Sequence, residues 1–399
     1  MSAPRTALIG IGGYGRVHLQ HLLDFHRRGE LVLAMAVAFP PEPDAAVLAE
    51  LRAVGCTVLD SFEALLAALP GLRVDFAVVP TPIHLHARMT VALMRAGVDV
   101  LVEKPLAATM EDAALIMEEA RTTGRSVAVG FQYLHAPEVR ALKQHLLEGA
   151  IGSLRRLVVH AAWPRSHSYY ARNAWAGQLK VGEDWVLDSP VSNAMSHFLM
   201  VMLYLAGSKD GTLARPVRLA AELYRAQEIE SFDTAALHFE TADGLRLDFY
   251  GTHSSSAVGR PSLRIEGTGG SAEWAQDAYA RLHGTVGTWE QQAAPESNTR
   301  ERMLRDVLAR RRDEPVMVCT PAMAAVHVHC FTALHRLMPI RSIAADHLAN
   351  HSQDGQRFTY VMGLDAILAE AARTGQSLAE AGAPWAVQAT EAHAFKPMA

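Results

Sequence analysis

Through the first ~130 residues, short apolar runs alternate with segments whose apolar positions recur at helical spacing. Thr6–Gly10, Leu31–Ala38, Val74–Val79, Val98–Val102 and Ser126–Gly130 read as strands buried on both faces, the pattern of a parallel sheet. Helices are predicted at Arg16–Leu23, Asp44–Val54, Ser61–Leu69, Leu85–Ala96 and Thr109–Arg121. Thr109 with Asp112 suits a helix N-terminus, and Gly97 suits a C-terminal cap. This alternation predicts an α/β fold, a doubly wound parallel sheet with right-handed crossovers. Ligands on such sheets bind beyond the carboxyl ends of the strands.

The pattern then changes. Pro137–Glu148 reads as a connecting helix, with Pro137 in its first turn and Gly149 as its cap. Strands are predicted at Leu154–Ala161, Val217–Tyr224, Thr234–Phe239, Leu245–Tyr250 and Leu263–Glu266, with Ala242-Asp-Gly-Leu245 a hairpin turn. Helices are expected near 190–206 and 321–338, and Gly251–Gly270 reads as strand ends and loops. The organisation expected is a doubly wound domain over 1–131 and an α/β domain with a large, mostly antiparallel open sheet over 132–399.

Composition narrows the class. Half of the 399 residues are hydrophobic and a fifth are charged, which is ordinary for a globular chain. A net charge of -5 argues against a nucleic-acid partner. No apolar run is long enough to span a bilayer, so no membrane association is expected. The chain enters a strand without a basic-then-apolar leader, and a cytoplasmic location follows as the expectation. Cys56, Cys319 and Cys330 are odd in number and lack metal-ligand spacing.

The first apolar run ends in Gly10-Ile11-Gly12-Gly13-Tyr14-Gly15, a G-x-G-x-x-G turn opening a helix. Gly10 would permit the tight turn, Gly12 the approach of a pyrophosphate, and Gly15 close packing of helix on strand. Helix N–H groups and dipole would hold the phosphates. Pro80-Thr81-Pro82 and Glu103-Lys104-Pro105 fall at the ends of later strands, where the same ligand would lie.

Thr81-Pro-Ile-His-Leu-His86, Ala96–Leu106 with its Glu103-Lys104-Pro105, Val129–Tyr133 and Gly149–Gly152 together resemble the glucose–fructose oxidoreductase/inositol dehydrogenase/rhizopine catabolism (Gfo/Idh/MocA) family over residues 5 to about 275. The resemblance implies an N-terminal Rossmann domain, a tightly bound NAD(H) or NADP(H), a sugar or polyol substrate, and a homodimer or homotetramer paired through the exposed face of the second sheet. Cofactor contacts are expected from Gly10, Ile11, Gly12, Gly13, Tyr14, Gly15, Phe39, Pro80, Thr81, Pro82, His86, Glu103, Lys104 and Gln132. Ala38-Phe39 ends the second strand where an acidic residue would bind the adenosine ribose, or a basic one a 2′-phosphate. The lack of a nearby Arg or Lys favours NAD, with Glu42 a further ribose candidate.

Lys104 would stabilise alkoxide character on the carbinol oxygen; a salt bridge at a domain seam is its plainer reading. Glu103 would pair with a basic side chain or sit near the nicotinamide ribose. The family's Asp-x-x-x-His corresponds to Asn193 and His197, in a helix capped by Ser189 and Pro190, where spacing of four places both on one face. His197 would be the general base, or else a satisfied helix histidine. Asn193 departs from the family aspartate, and Met200 stands where a further aspartate often lies. Asn193 can hydrogen-bond a hydroxyl but cannot ionise.

Between these elements, Trp163, Arg165, Tyr170, Arg172, Asn173 and Trp175 offer the faces and donors a polyhydroxylated ligand uses, or else a packed loop. Asp188 and His253 complete the substrate candidates. In Val326-His-Val-His-Cys330 the i,i+2 spacing splits the histidines across a helix, and no metal is expected. The reading is a dehydrogenase acting on a secondary hydroxyl of a sugar, sugar acid or polyol. Redox-assisted glycoside cleavage with retained NAD, and a non-enzymatic dinucleotide-binding regulator, are the alternatives.

Overall fold

Arg5–Ile9, apolar on both faces, forms the central strand β1 with a parallel neighbour on each edge. The computed structural model describes residues 3–40, 44–285, 287–392, 395, 396 and 398. The chain divides into two units, Met1–Gly130 with Leu304–Ala325, and Phe131–Met303 with Val326–Ala399.

In the first unit β1 is followed by α1 (Gly15–Arg27), β2 (Val32–Val37), α2 (Ala45–Ala53), β3 (Thr57–Leu59), α3 (Phe62–Ala68), β4 (Phe76–Val79), α4 (His86–Arg95), β5 (Asp99–Val102), α5 (Met110–Thr123) and β6 (Val127–Val129). All strands are parallel, in the order β3-β2-β1-β4-β5-β6. The order reverses between β1 and β4, which places a ligand crevice beyond their carboxyl ends. The predicted doubly wound sheet is present, and β3 is an addition too short to stand out in the sequence. Thr109 caps α5 as expected, its hydroxyl accepting from the Asp112 amide at 3.1 Å. The later segment 304–325 belongs to the same unit: the Val129 amide donates to the Cys319 carbonyl, and Arg311 holds Asp99 at 2.7 Å.

The second unit begins with α6 (Pro137–Leu147), β7 (Leu154–Ala162), α7 (His167–Ala171), a small pair β8 (Lys180–Val181) and β9 (Asp184–Trp185), and α8 (Ser196–Ala206). Strands β10 (Pro216–Arg225), β11 (Thr234–Thr241), β12 (Arg246–Thr252), β13 (Gly259–Gly267), β14 (Gly270–Ala275), β15 (Tyr279–Gly284) and β16 (Gly287–Gln292) follow. Helices α9 (Glu296–Arg310) and α10 (Pro321–Leu337) each contribute to both units. The chain ends with β17 (Ile340–Ser342), the hairpin β18 (Leu348–Gln353) and β19 (Gln356–Val361), α11 (Leu364–Thr374) and β20 (Thr390–Glu391). The large sheet runs β16-β15-β14-β13-β7-β12-β11-β10-β17, with β20 beside β10. Only the β7–β12 and β10–β17 pairings are parallel within it. The mostly antiparallel second sheet is as expected. The region Gly251–Gly270 differs: β13 occupies nine of its residues, so much of the expected loop is strand.

Alternation along the strands gives the sheet two apolar faces. Leu157, Val159, Leu247, Phe249, Leu263 and Trp274 are buried on the side that α8 contacts. Val158, Tyr224, Ala236 and Tyr250 pack on the other side under Leu364, Leu368, Ala371 and Ala372 of α11. The middle of that second face is therefore covered by the chain's own C-terminal segment. A buried polar cluster secures it. Asp248, with no exposed surface, binds Arg156 Nε at 2.6 Å and His238 Nδ1 at 2.9 Å. Arg156 and Arg264 in turn donate to the Ala372 carbonyl at 3.1 and 3.2 Å, placing guanidinium charge at the negative end of α11. Glu222 accepts from the Leu378 and Ala379 amides just beyond.

Candidate active site

Backbone geometry in the first unit follows the glycine spacing. Gly10 and Gly13 have positive φ of 103° and 52°, which only glycine adopts freely in such a turn. A Cβ on Gly15 would lie 2.1 Å from the Gly10 carbonyl oxygen, so α1 approaches β1 as closely as backbone allows. A Cβ on Gly12 would meet nothing within 4 Å, leaving open space above the turn. A dinucleotide pyrophosphate fits these residues: the turn is tight where it packs and open where a phosphate would approach. Gly12→Val is therefore expected to keep the melting temperature while losing NADH affinity, whereas Gly15→Ala lowers the melting temperature itself. Thermal melts and NADH titration of both variants check this, and equal behaviour would contradict the packing described.

Other expected cofactor residues gather around this turn. The Phe39 ring lies 3.6 Å and Thr81 Cγ2 3.9 Å from the Gly10 Cβ position, and Pro80 lies 3.3 Å from that of Gly15. Ile11 is buried and Tyr14 is 40% exposed, its ring edge-on to His18. Pro82 opens a short turn, its carbonyl accepting from the Leu85 amide. His86 is buried and ties two strand ends together, with Nδ1 2.7 Å from the Pro105 carbonyl and Nε2 2.8 Å from that of Thr81. Glu42 lies outside the described residues. Arg16 reaches the loop after β2, 3.8 Å from Asp44, so one guanidinium stands there beside a carboxylate.

Glu103 is 5% exposed and pairs with a basic side chain, one of the alternatives open in the sequence. Its Oε1 lies 2.8 Å from His18 Nε2, and its Oε2 accepts from the Lys104 amide at 3.1 Å. Burial pushes the carboxyl up, but the His18 bond and the Lys104 charge outweigh it and hold the pKa below the ordinary value. An ionised Glu103 thus fixes the backbone that carries Lys104. A Cβ at position 130 would fall 2.5 Å from Glu103 Oε1, which explains Gly130. The pairing of Glu103 with His18 was missed in the sequence because the two lie 85 residues apart, and Gly130 was read there as a strand end, with nothing to show that Glu103 packs against it.

In the second unit the expected helix near 190–206 is split. Pro190–Ala194 forms a π-helical turn, and α8 starts only at Ser196. The Ser189 cap and Pro190 at the first position are as expected, with a reciprocal Ser189–Ser192 capping box. Asn193 therefore sits in the wide turn and His197 in the first turn of α8. Asn193 donates to Asp188 Oδ1 at 2.7 Å, and Asp188 Oδ2 accepts from the Gly177 amide at 2.7 Å. A carboxylate therefore stands beside Asn193, supplied by the loop before the cap. His197 is 8% exposed and lies edge-on between Phe131 and Tyr133, at 5.6 and 5.4 Å. At the far end of α8, Lys143 donates to the Leu205 and Gly207 carbonyls and anchors the helix.

Of the expected substrate residues, Tyr170 and His253 line a cavity together with Asp188. Arg165 stands over the Trp163 and Tyr169 rings, and Arg172 over Tyr169 and Trp175. Asn173 closes the loop, its side-chain oxygen accepting from the Trp175 and Ala176 amides. Tyr169, Tyr170, Asp188 and His253 line one small cavity of about 10 Å³. His253 Nδ1 lies 2.8 Å from the Trp163 carbonyl, so the proton is on Nδ1 and Nε2 remains an acceptor. Burial, with the charges of Arg165 and Arg172, pushes the His253 pKa down to about 3. Gln132 is buried in the same unit, its amide nitrogen 3.2 Å from Glu296. His327 and His329 have separate surroundings, the former 2.9 Å from the Val191 carbonyl and the latter against the Phe395 ring.

Residues 4–131 match the model described as oxidoreductase family, NAD-binding Rossmann fold, and residues 139–273 match the GFO/IDH/MocA C-terminal domain. The chain belongs to the Gfo/Idh/MocA oxidoreductase family. Over 153 residues it is 32% identical to dTDP-3,4-didehydro-2,6-dideoxy-α-D-glucose 3-reductase of Streptomyces violaceoruber, covering 38% of this chain and 43% of that one. Over 202 residues it is 28% identical to inositol 2-dehydrogenase of Leifsonia xyli subsp. xyli, covering 50% and 53%. The chain spans about half the length of these relatives. Among solved structures, the WlbA dehydrogenase from Bordetella pertussis in complex with NADH and UDP-GlcNAcA aligns over 84% of this chain and 95% of that one, with a TM-score of 0.69 and 19% identity. Levoglucosan dehydrogenase in complex with NADH and levoglucosan aligns over 84% and 97%, with a TM-score of 0.70 and 16% identity. These two likenesses establish the fold. Among the described residues no helix is long and apolar enough to cross a membrane.

Proposed function

We propose that this chain moves a hydride between NAD(H) and a secondary hydroxyl of a sugar, sugar acid or polyol. The observation that supports it most is Lys104 at the end of β5, its backbone fixed by a buried, ionised Glu103 in the sheet that bears the dinucleotide turn. A bound nicotinamide ring supplies the hydride acceptor or donor. Lys104 stabilises negative charge on the substrate oxygen, a role a compact ammonium fills well. His197 takes the hydroxyl proton, and Asn193, oriented by Asp188, donates its second amide hydrogen to a substrate hydroxyl. His253 Nε2 accepts from another. The aromatic rings of Trp163 and Trp175 face the C–H surfaces of the sugar.

NAD is preferred to NADP in this reading. Arg16, which reaches the loop after β2, is opposed by Asp44 there, so it is not an unopposed cation for a 2′-phosphate. The inositol and sugar enzymes among the relatives support the substrate class. The test is turnover of a panel of sugars, sugar acids and polyols with each cofactor, followed by reduced-nicotinamide absorbance and product analysis. Stoichiometric ketone and NADH formation is expected. Glycoside cleavage without net cofactor reduction would replace this reading with the retained-NAD one.

A further inference from the structure

An aromatic–cation ladder in the second unit is paired with no carboxylate among the described residues. Trp163, Arg165, Tyr169, Arg172 and Trp175 alternate ring and guanidinium: Arg165 Cζ is 5.3 Å from the centre of Trp163 and 4.6 Å from that of Tyr169, and Arg172 Cζ is 3.5 Å from Tyr169 and 5.2 Å from Trp175. Stacking fixes the plane of each guanidinium and leaves its N–H edge to bind something else.

Neither arginine forms an ion pair with a carboxylate among the described residues, whereas Arg156, Arg264, Arg281 and Arg311 all do. Arg172 donates to the Tyr169 carbonyl at 2.8 Å. Arg165 Nε is buried with no hydrogen-bond acceptor, and the Tyr170 hydroxyl nearby is likewise buried and unbonded. The acidic groups in the neighbourhood are committed elsewhere: Asp188 to Asn193 and the Gly177 amide, Asp233 to the Ala226 and Gln227 amides. Arg165 is half-buried and Arg172 exposed, so it is the buried Arg165 Nε that is costly to leave without an acceptor unless a ligand supplies one.

We propose that Arg165 and Arg172 hold an oxyanion on the substrate, a carboxylate or a phosphoryl group. This rests on the sugar-oxidoreductase reading above and narrows its sugars, sugar acids and polyols to those that carry an oxyanion. The ladder adjoins the residues that would meet the sugar ring, since Tyr169 and His253 share a cavity with Asp188, which binds Asn193. Burial foremost, and then both arginine charges, keep the His253 ring neutral as an acceptor. A planar guanidinium matches carboxylate and phosphate through paired N–H donors, which a neutral hydroxyl cannot exploit.

The test titrates the NADH-loaded protein with D-glucose, D-glucuronate, D-glucose 6-phosphate, UDP-glucose and inorganic phosphate, for wild type, Arg165→Gln, Arg172→Gln, Arg165→Lys and the double Gln variant. At least one oxyanion probe is expected to bind roughly 10–100-fold more tightly than glucose in the wild type. That preference should fall about tenfold or more in each Gln variant and recover in part in Arg165→Lys. Preference for glucuronate identifies a carboxylate, and preference for the phosphorylated probes identifies a phosphoryl group. Unchanged melting temperature and NADH affinity exclude misfolding of the variants. Absence of oxyanion binding in the wild type, or equal binding in the double variant, overturns the proposal. Loss of NADH binding in the wild type would instead sink the oxidoreductase reading on which it rests.

Discussion

Lys104→Ala is expected to lower turnover by about 10²–10⁴-fold while NADH affinity stays within a few-fold. The side chain leaves the end of β5, and its backbone is held by the Glu103 carboxylate through the amide at 3.1 Å. That carboxylate is in turn held by His18 at 2.8 Å, so the arrangement survives removal of the Lys104 side chain. The variant should therefore fold and bind cofactor, and the loss should appear in kcat. Lys104→Arg keeps the charge but replaces a compact ammonium by a planar fork, so partial activity is expected. Steady-state kinetics with NADH titration separates these outcomes. A Lys104→Ala enzyme within tenfold of wild type would mean the lysine is structural.

Asp248→Ala is expected to cost about 3–5 kcal/mol, because it leaves Arg156 buried without its carboxylate. For a unit of this size the melting temperature should fall by roughly 10 °C. The exposed pair Glu370–Arg373 serves as the comparison, and Glu370→Ala should leave the melting temperature close to that of the wild type. Acidity gives a second signature. Burial would raise the Asp248 carboxyl, but the His238 bond and the Arg156 and Arg246 partners outweigh it, and the pKa lies below the ordinary value. Such a group stabilises fully above its unfolded pKa of about 3.9 and loses that stabilisation as pH falls through the folded value. The gap between wild type and Asp248→Ala should therefore be wide at neutral pH and narrow below about pH 4. Because Arg156 also holds the α11 carbonyls, the variant should release residues 364–391 to protease first. A gap equal to that of Glu370→Ala, constant with pH, would show that this cluster does not hold the C-terminal segment.

The first unit was legible because its signals are local. Apolar runs such as Phe76–Val79 are buried on both faces, Thr109 caps its helix, and the glycine spacing dictates a turn that three positions of backbone confirm. In the second unit, β15 and β16 alternate exposed polar with buried residues so weakly that no strand pattern stands out. Helix α9 is too charged to signal burial. Helix α11 was detectable, since Leu364, Leu368, Ala371 and Ala372 repeat at i, i+4, i+7 and i+8. The π-helical turn at Pro190–Ala194 carries the same Ser-Pro start as an α-helix, so the sequence does not reveal that the helix is split before Ser196. Pairings over long separations, His18 with Glu103 and Arg156 with the α11 carbonyls, emerge only when the sheets assemble.

The central claim is that a sugar carbon gives its hydrogen to a nicotinamide bound on the glycine turn. It is tested most directly by following deuterium from the carbinol carbon of a labelled substrate in the wild-type protein, Gly12→Val and Lys104→Ala. The expected result is deuterium at C4 of the reduced nicotinamide in the wild type, with little or none in either variant. Sugar and NAD bound together in the wild type with no deuterium exchanged in either direction would contradict it.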